Sequence, residues 1–359
     1  MFMGFAVAIG IVFGLALLEF CAGSYAAYIS SREQMDSGFL VFDPDLGWQM
    51  APGWGGRHRH YDFDVRYSTN SRGLRGPWPE AAGESRRYVF LGDSFTFGLG
   101  VNDDETFVQR LGTANPATTY LNAGVAGYST DQEYLYLKRH LAEWRASDIA
   151  LVVYLANDLL DDTLSYPLQA NMGKPLFVAD GGGLRLTNVP VPLRPKPPEE
   201  QIRTLSTMVL GEDEAQKQTA SWRSRWQLAR ILGFSEAAAG KAISSMPERL
   251  AYPLDLFVKL AQNIRQLCDE NHVKLSLVLM PGRSYVEQPD SLSAQYQDFL
   301  RQAILARQAD LGVPMTDLAV LLRAERGKGQ KHLFHPHEGH LTAAGHQVVA
   351  DLLRKRFEF

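Results

Sequence analysis

Two regions far apart in this 359-residue chain carry the side chains of nucleophilic acyl chemistry. Ser94 follows the apolar run Tyr88-Val-Phe-Leu91 through Gly92-Asp93, and Phe95 can open a helix. A serine on such a strand-to-helix turn has its hydroxyl at a strand end and its amide near the positive end of a helix dipole. Backbone N–H groups there can hold the negative charge that attack on a carbonyl creates. Gly-Asp-Ser is also a common polar turn, so the reading requires a base from elsewhere in the chain. His340, just before the last helical stretch, has the right chemistry. Glu338, two residues before it, can face the same imidazole and fix its tautomer.

The elements that must position these groups alternate between strand and helix. Strands are expected at Tyr88–Leu91, Thr119–Asn122, Asp148–Leu155, Val273–Met280 and Pro314–Leu318. The third is a continuous apolar run of the kind buried on both faces of a parallel sheet. Helical spacing covers Gln132–Trp144, Leu254–Asn271, Ser291–Leu311 and Thr342–Phe357. This alternation predicts an α/β fold, a doubly wound parallel sheet of about five strands. Functional residues of such sheets gather at the carboxyl ends of strands. Ser94, Gly127 and Asn157 each follow a predicted strand closely, which brings them to one edge.

Gly92-Asp93-Ser94, Gly127, Asn157-Asp158 and His340 fall in the order and approximate spacing of the SGNH, or GDSL, hydrolases, which this chain resembles over residues 86–356 apart from an insertion. The front segment, with Leu46-Gly-Trp48 and Asn70-Ser-Arg-Gly-Leu74, is similar to that of membrane-anchored bacterial members. The resemblance implies a three-layer, flavodoxin-like α/β/α fold with Ser94 as nucleophile and His340 as general base. It implies an oxyanion hole formed by the amides of Ser94 and Gly127 and the side chain of Asn157; Gly124 is the alternative glycine. Two positions depart from the family pattern. Leu155 stands where the third block normally begins with glycine. The usual acid lies three residues before the histidine, where this chain has His337. Alginate-acetylation relatives place the acid two residues before it, where this chain has Glu338. The acid is therefore assigned to Glu338, with a Ser–His dyad as the alternative. Asp93 and Asp158 are expected to bond loop amides.

Outside this core, residues 31–80 read as a small β-rich subregion with turns at Asp43–Trp48 and Ala51–Trp54. His58 and His60 alternate with arginines and are expected on a solvated strand edge. Residues 166–249 interrupt the pattern as a cap, with a hairpin near Gly181-Gly-Gly183 and a helical stretch over 221–232. Residues 1–18 carry no charged side chain and are almost all apolar, which suits a single transmembrane helix over 1–22. A cleaved signal peptide is the alternative. The expected protein is tethered to the membrane by that helix, with its catalytic domain periplasmic or extracellular.

The net charge of −4 and scattered basic residues give no reason to expect nucleic acid as a partner. Two cysteines, Cys21 and Cys268, do not suggest a disulfide framework. His332, His335, His337, Glu338, His340 and His346 invite a metal site, but His337-Glu-Gly-His340 is one residue short of the helical zinc spacing and lies on a loop. Neither metal nor cofactor is expected. The function expected is a serine esterase or acyltransferase acting on ester-linked acyl groups, with O-acetyl groups of a cell-surface or secreted polysaccharide as the substrate that the resemblance suggests. The alternatives are a lipid or carboxylic-ester hydrolase and a non-catalytic, membrane-tethered binding or assembly protein.

Overall fold

In the computed structural model, residues 2–79, 86–201, 203–210, 246–329 and 332–356 are described. Five wholly parallel strands form the central sheet: β6 (Arg87–Gly92), β7 (Thr119–Gly124), β8 (Asp148–Tyr154), β11 (Lys274–Met280) and β12 (Met315–Asp317). Their spatial order is β12-β11-β8-β6-β7. The first strand of the sheet, β6, thus lies between the second and third. Successive connections leave β6 toward opposite edges, which opens a crevice at its carboxyl end. Ser94 sits at that switch point.

The sheet is central because its strands are apolar on both sides. Val89 to Leu91, Ile149 to Val153 and Leu277 to Met280 are buried. The helices α3 (Phe107–Ala114), α12 (Leu318–Gly327) and α13 (Ala343–Arg356) pack together on one face. On the other face lie α4 (Thr130–Trp144), α8 (Ala251–Glu270) and α10 (Leu292–Ala306). Short helices α2 (Ser94–Phe97), α5 (Asp158–Asp161), α9 (Arg283–Glu287) and α11 (Gln308–Leu311) close loops at strand or helix ends. Side-chain caps set several starts. Ser291 accepts the Ala294 N–H before α10, and Asp317 accepts those of Ala319 and Val320 before α12.

Ahead of the sheet, β1 (Gln34–Met35), β4 (Gly55–Arg59) and β5 (Asp64–Ser68) form one antiparallel sheet, and β2 (Leu40–Asp43) pairs with β3 (Gly47–Met50). This region shares the main hydrophobic core. The Trp48 indole N–H donates to the Ala126 carbonyl (2.9 Å), and Gln132 donates to the Leu46 carbonyl (2.7 Å). The expectation that His58 lies on a solvated edge is incorrect. His58 is 1% exposed, its Nδ1 is 2.8 Å from the Tyr67 hydroxyl, and Phe63 packs edge-on against its ring. The cause is the position of β4 between β1 and β5, which turns this face of the strand inward. The His60 side chain is also largely enclosed, beside Asp62.

A hairpin of β9 (Leu176–Asp180) and β10 (Gly183–Thr187) occurs where the glycine run suggests one. Phe177 seats it on Leu256 and Leu260 of α8. Short helices α6 (Pro198–Gln201) and α7 (Leu205–Leu210) follow. The expected helix over 221–232 lies outside the described residues. Helix α1 spans Phe2–Ser31. The side chains of residues 1–13 are outside the described set, and with them much of the segment expected to cross a membrane. Among the described residues no helix is long and apolar enough to do so.

One buried cation ties the β-rich region to the turn that follows Ser94. The Arg75 guanidinium donates to the carbonyls of Phe97 (2.9 Å), Gly98 (2.5 Å) and Val101 (2.6 Å), and pairs with Asp103 at 2.9 Å. It lies against the rings of Tyr67 and Phe97. Removing it takes the cation from Asp103, which keeps its bonds from Ser68, and the guanidinium donors from three carbonyls. Arg75→Ala should lose about 3–5 kcal/mol of stability, read from the denaturant midpoint; a loss below about 1 kcal/mol would show that the turn holds itself.

Candidate active site

The nucleophile turn is built from the end of β6. Asp93 caps α2, its Oδ1 accepting the Phe95 N–H at 2.9 Å, and Ser94 is the first residue of the helix. The hydroxyl of Ser94 is therefore presented at the end of a buried strand rather than within a flexible loop.

The loop ahead of α13 returns to this point. His340 Nε2 lies 2.7 Å from Ser94 Oγ, and its Nδ1 lies 2.6 Å from Glu338 Oε1. The other carboxylate oxygen, Oε2, accepts the backbone N–H of His340 at 2.9 Å. A carboxylate only accepts, so Nδ1 carries the proton and Nε2 is left to accept that of the serine. Gly339, between acid and base, has φ +96°, a left-handed conformation that L side chains rarely adopt. It lets the chain fold back so that a carboxylate two residues away reaches both the imidazole and its own backbone. The Phe95 ring lies 4.5 Å from that of His340 and stacks at 4.1 Å on Tyr154, walling the imidazole on one side.

Electrostatics follow from this geometry. Burial opposes the imidazolium of His340, but the charge of Glu338, its hydrogen bond and the charge of Asp93 together raise the His340 pKa above the ordinary 6.5. Burial favours the neutral acid at Glu338, yet His340 and its two hydrogen bonds hold the carboxyl below its ordinary range. The two directions agree with a pair that stabilises its charged form. Burial pushes Asp93 up to about 6, against the pull of His340 and the loop amides.

Gly127 and Asn157 follow β7 and β8, the two strands that flank β6. Gly127 has φ +80°, and the Trp48 ring lies 3.3 Å from where a Cβ would stand. The amides of Ser94 and Gly127 donate to no protein acceptor among the described residues. The Gly124 amide is taken, donating to Asn122 Oδ1 at 3.0 Å. Asn157 Nδ2 donates to Asp161 Oδ2 at 2.5 Å, which orients its amide group and leaves its second N–H. These loops thus offer N–H donors at the same sheet edge as Ser94. Asp93 and Asp158 bond loop amides, the latter accepting the Tyr154 N–H at 2.6 Å.

Three other histidines of the C-terminal cluster have separate partners. His335 Nε2 is 3.2 Å from the Gly100 carbonyl, His337 Nδ1 is 2.6 Å from Asp62, and His346 Nδ1 accepts the Phe107 N–H at 3.2 Å. Among the described residues no group of three or more His, Cys, Asp or Glu is arranged to hold a metal ion.

The family model described as GDSL-like Lipase/Acylhydrolase matches residues 90–348, well over half of the chain. The chain belongs to this family. It is an ester-hydrolysing serine hydrolase of the GDSL type. A comparison with curated proteins finds no match. Among solved structures, the chain is similar to the acetyl xylan esterase AlAXEase, at 13% identity and a TM-score of 0.42, covering 75% of this chain and 98% of that one. A mutant acetyl-xylooligosaccharide esterase from Geobacillus Stearmophilus shows 10% identity, a TM-score of 0.44, and coverage of 78% and 97%. A member of the lipolytic G-D-S-L family from Veillonella parvula shows 12%, 0.39, and coverage of 76% and 99%. These likenesses are distant, and membership rests on the sequence match.

The structure brings together Ser94, His340 and Glu338, which the sequence patterns singled out. Those patterns did not point to Asp62, Phe95, Asp161 or the propping role of Trp48. Asp62 stands in the alternating run Tyr61–Tyr67, where a polar residue looks like the solvent side of a strand; nothing local distinguishes it. Because Glu338 raises the His340 pKa, Glu338→Gln should lower it toward 6.5 in an NMR titration of the imidazole. An unmoved titration would show that another group supplies the charge.

Proposed function

We propose that Ser94, His340 and Glu338 form the catalytic triad of an esterase or acyltransferase acting on ester-linked acyl groups. In this reading His340 takes the Ser94 proton as the serine attacks the ester carbonyl. The Ser94 and Gly127 amides and the Asn157 side chain hold the resulting oxyanion. Protonated His340 then gives its proton to the leaving alkoxide, and water or a sugar hydroxyl resolves the acyl-enzyme. The observation that carries the reading is the continuous path from Ser94 Oγ through the imidazole to Glu338, with contacts of 2.7 and 2.6 Å.

The substrate class proposed is O-acetyl groups on a cell-surface or secreted polysaccharide. Its support is the spacing of Glu338 and His340, which resembles that of alginate-acetylation relatives, together with the resemblance of the front segment to that of membrane-anchored members. The protein is further proposed to be tethered through α1, whose 30 residues would extend about 45 Å, with the catalytic domain outside the cytoplasm. An exported-reporter fusion at the C-terminus tests that placement: an active periplasmic reporter supports it, and a silent one overturns it.

Ser94→Ala should abolish hydrolysis across a panel of acyl esters, while full activity would overturn the triad. Asn157→Ala should reduce kcat about 10²- to 10³-fold with a smaller change in KM, the cost of one lost oxyanion donor. Since the base must be neutral to act, kcat/KM should rise with pH through a limb above 6.5, set by the raised pKa of His340.

A further inference from the structure

The acid of the triad lies on a loop without regular structure, and its grip on His340 comes in part from another region of the chain. Asp62 sits in the tight turn between β4 and β5, where the His60 N–H donates to the Phe63 carbonyl at 2.9 Å. Its side chain is 3% exposed. Asp62 Oδ2 accepts the backbone N–H groups of His337 (2.8 Å) and Glu338 (2.9 Å), and Oδ1 lies 2.6 Å from His337 Nδ1. Both oxygens are thus committed to the two residues that lead into Gly339 and His340. Neighbours of Asp62 extend the grip. Tyr61 packs edge-on against His337 at 4.9 Å, and Phe63 lies 5.0 Å from His335.

We propose that Asp62 is a positioning residue for the reaction: it clamps the loop that carries Glu338, so that both Glu338 oxygens stay on His340. This rests on the triad reading given above. Residue 62 lies outside the 90–348 stretch that matches the family model, so the clamp comes from the β-rich region rather than from that stretch. It also accounts for His337. The place where the family normally has its acid holds an imidazole that binds a carboxylate supplied from elsewhere.

The physical case is one of geometry and charge. Hydrogen bonds from backbone N–H groups to a carboxylate are stronger than neutral ones. Burial alone would favour the neutral acid at Asp62, but the side-chain and backbone bonds from His337 and the Glu338 amide hold its pKa below the ordinary range. The clamp is therefore charged at neutral pH. Without it, Gly339 is free to relax, and the Glu338 carboxylate can leave the imidazole for water.

The test compares full-length wild type with Asp62→Ala, Asp62→Asn and Ser94→Ala by kcat, KM, thermal midpoint and the pH profile of kcat/KM. Charged and titratable groups facing His340 are Glu338 on its own loop, Asp93 at the end of β6, His335, His346 of α13, and His58 of β4. Of these only the placement of Glu338 depends directly on Asp62. Asp62→Ala should lower kcat about 10- to 100-fold, with KM within about twofold, the scale expected for a misplaced catalytic group. Its acid limb should move down toward 6.5 as Glu338 loosens. Asp62→Asn keeps an oxygen for the two amides and should fall between. A residue that merely supports folding would lower the thermal midpoint without moving the limb. Wild-type kcat and an unmoved limb in Asp62→Ala, with Ser94→Ala inactive, would overturn the clamp alone. If Asp62→Ala does not fold, an unmoved limb in Asp62→Asn does the same. Retained activity in Ser94→Ala would remove the triad reading and the clamp with it.

Discussion

The structure depends on one contact, the 2.7 Å approach of His340 Nε2 to Ser94 Oγ. The two residues are 246 positions apart. A serine hydroxyl is a weak nucleophile until a base removes its proton, and a base only slightly misplaced gains little. The chain therefore has to fix two loops from opposite ends of its main domain to within hydrogen-bond tolerance. The parallel sheet does most of this. Ser94 leaves β6 at the switch point, the loops after β7 and β8 bring Gly127 and Asn157 to the same edge, and α13 returns the His340 loop to it.

Each loop is then held by specific bonds rather than by regular structure. Arg75 gathers three carbonyls of the turn after Ser94. Trp48 props the Gly127 loop through the Ala126 carbonyl, and Asp161 orients the Asn157 amide. Two of these ties, Arg75 and Trp48, come from the β-rich region ahead of the sheet. That region is thus part of the machinery that holds the site, and it shares the main hydrophobic core. Glu338 reaches His340 for a local reason. The longer side chain and the left-handed Gly339 together bring the carboxylate to the imidazole from a position two residues away.

Much of the fold was legible because parallel strands advertise themselves as apolar runs. Ile149 to Val153 and Leu277 to Met280 could hardly be anything but buried strand. The meeting of Ser94, His340 and Glu338 was legible because their side-chain chemistry is scarce and their order along the chain is informative. His58 was misread because alternation with arginine suggests a wet edge, whereas a strand paired on both sides buries one of its faces. Asp62 was not legible at all. Its role comes from a loop brought beside it by tertiary folding, more than 270 residues later. Single-sequence periodicity carries no record of such a meeting.

The central claim is that Ser94 is an activated nucleophile. Labelling of the full-length protein with a fluorophosphonate probe, followed by peptide mass spectrometry, tests it most directly. The account predicts prompt, stoichiometric modification confined to Ser94 and lost when His340 is replaced. Absence of labelling in folded protein, or modification at another residue with Ser94 untouched, would contradict it.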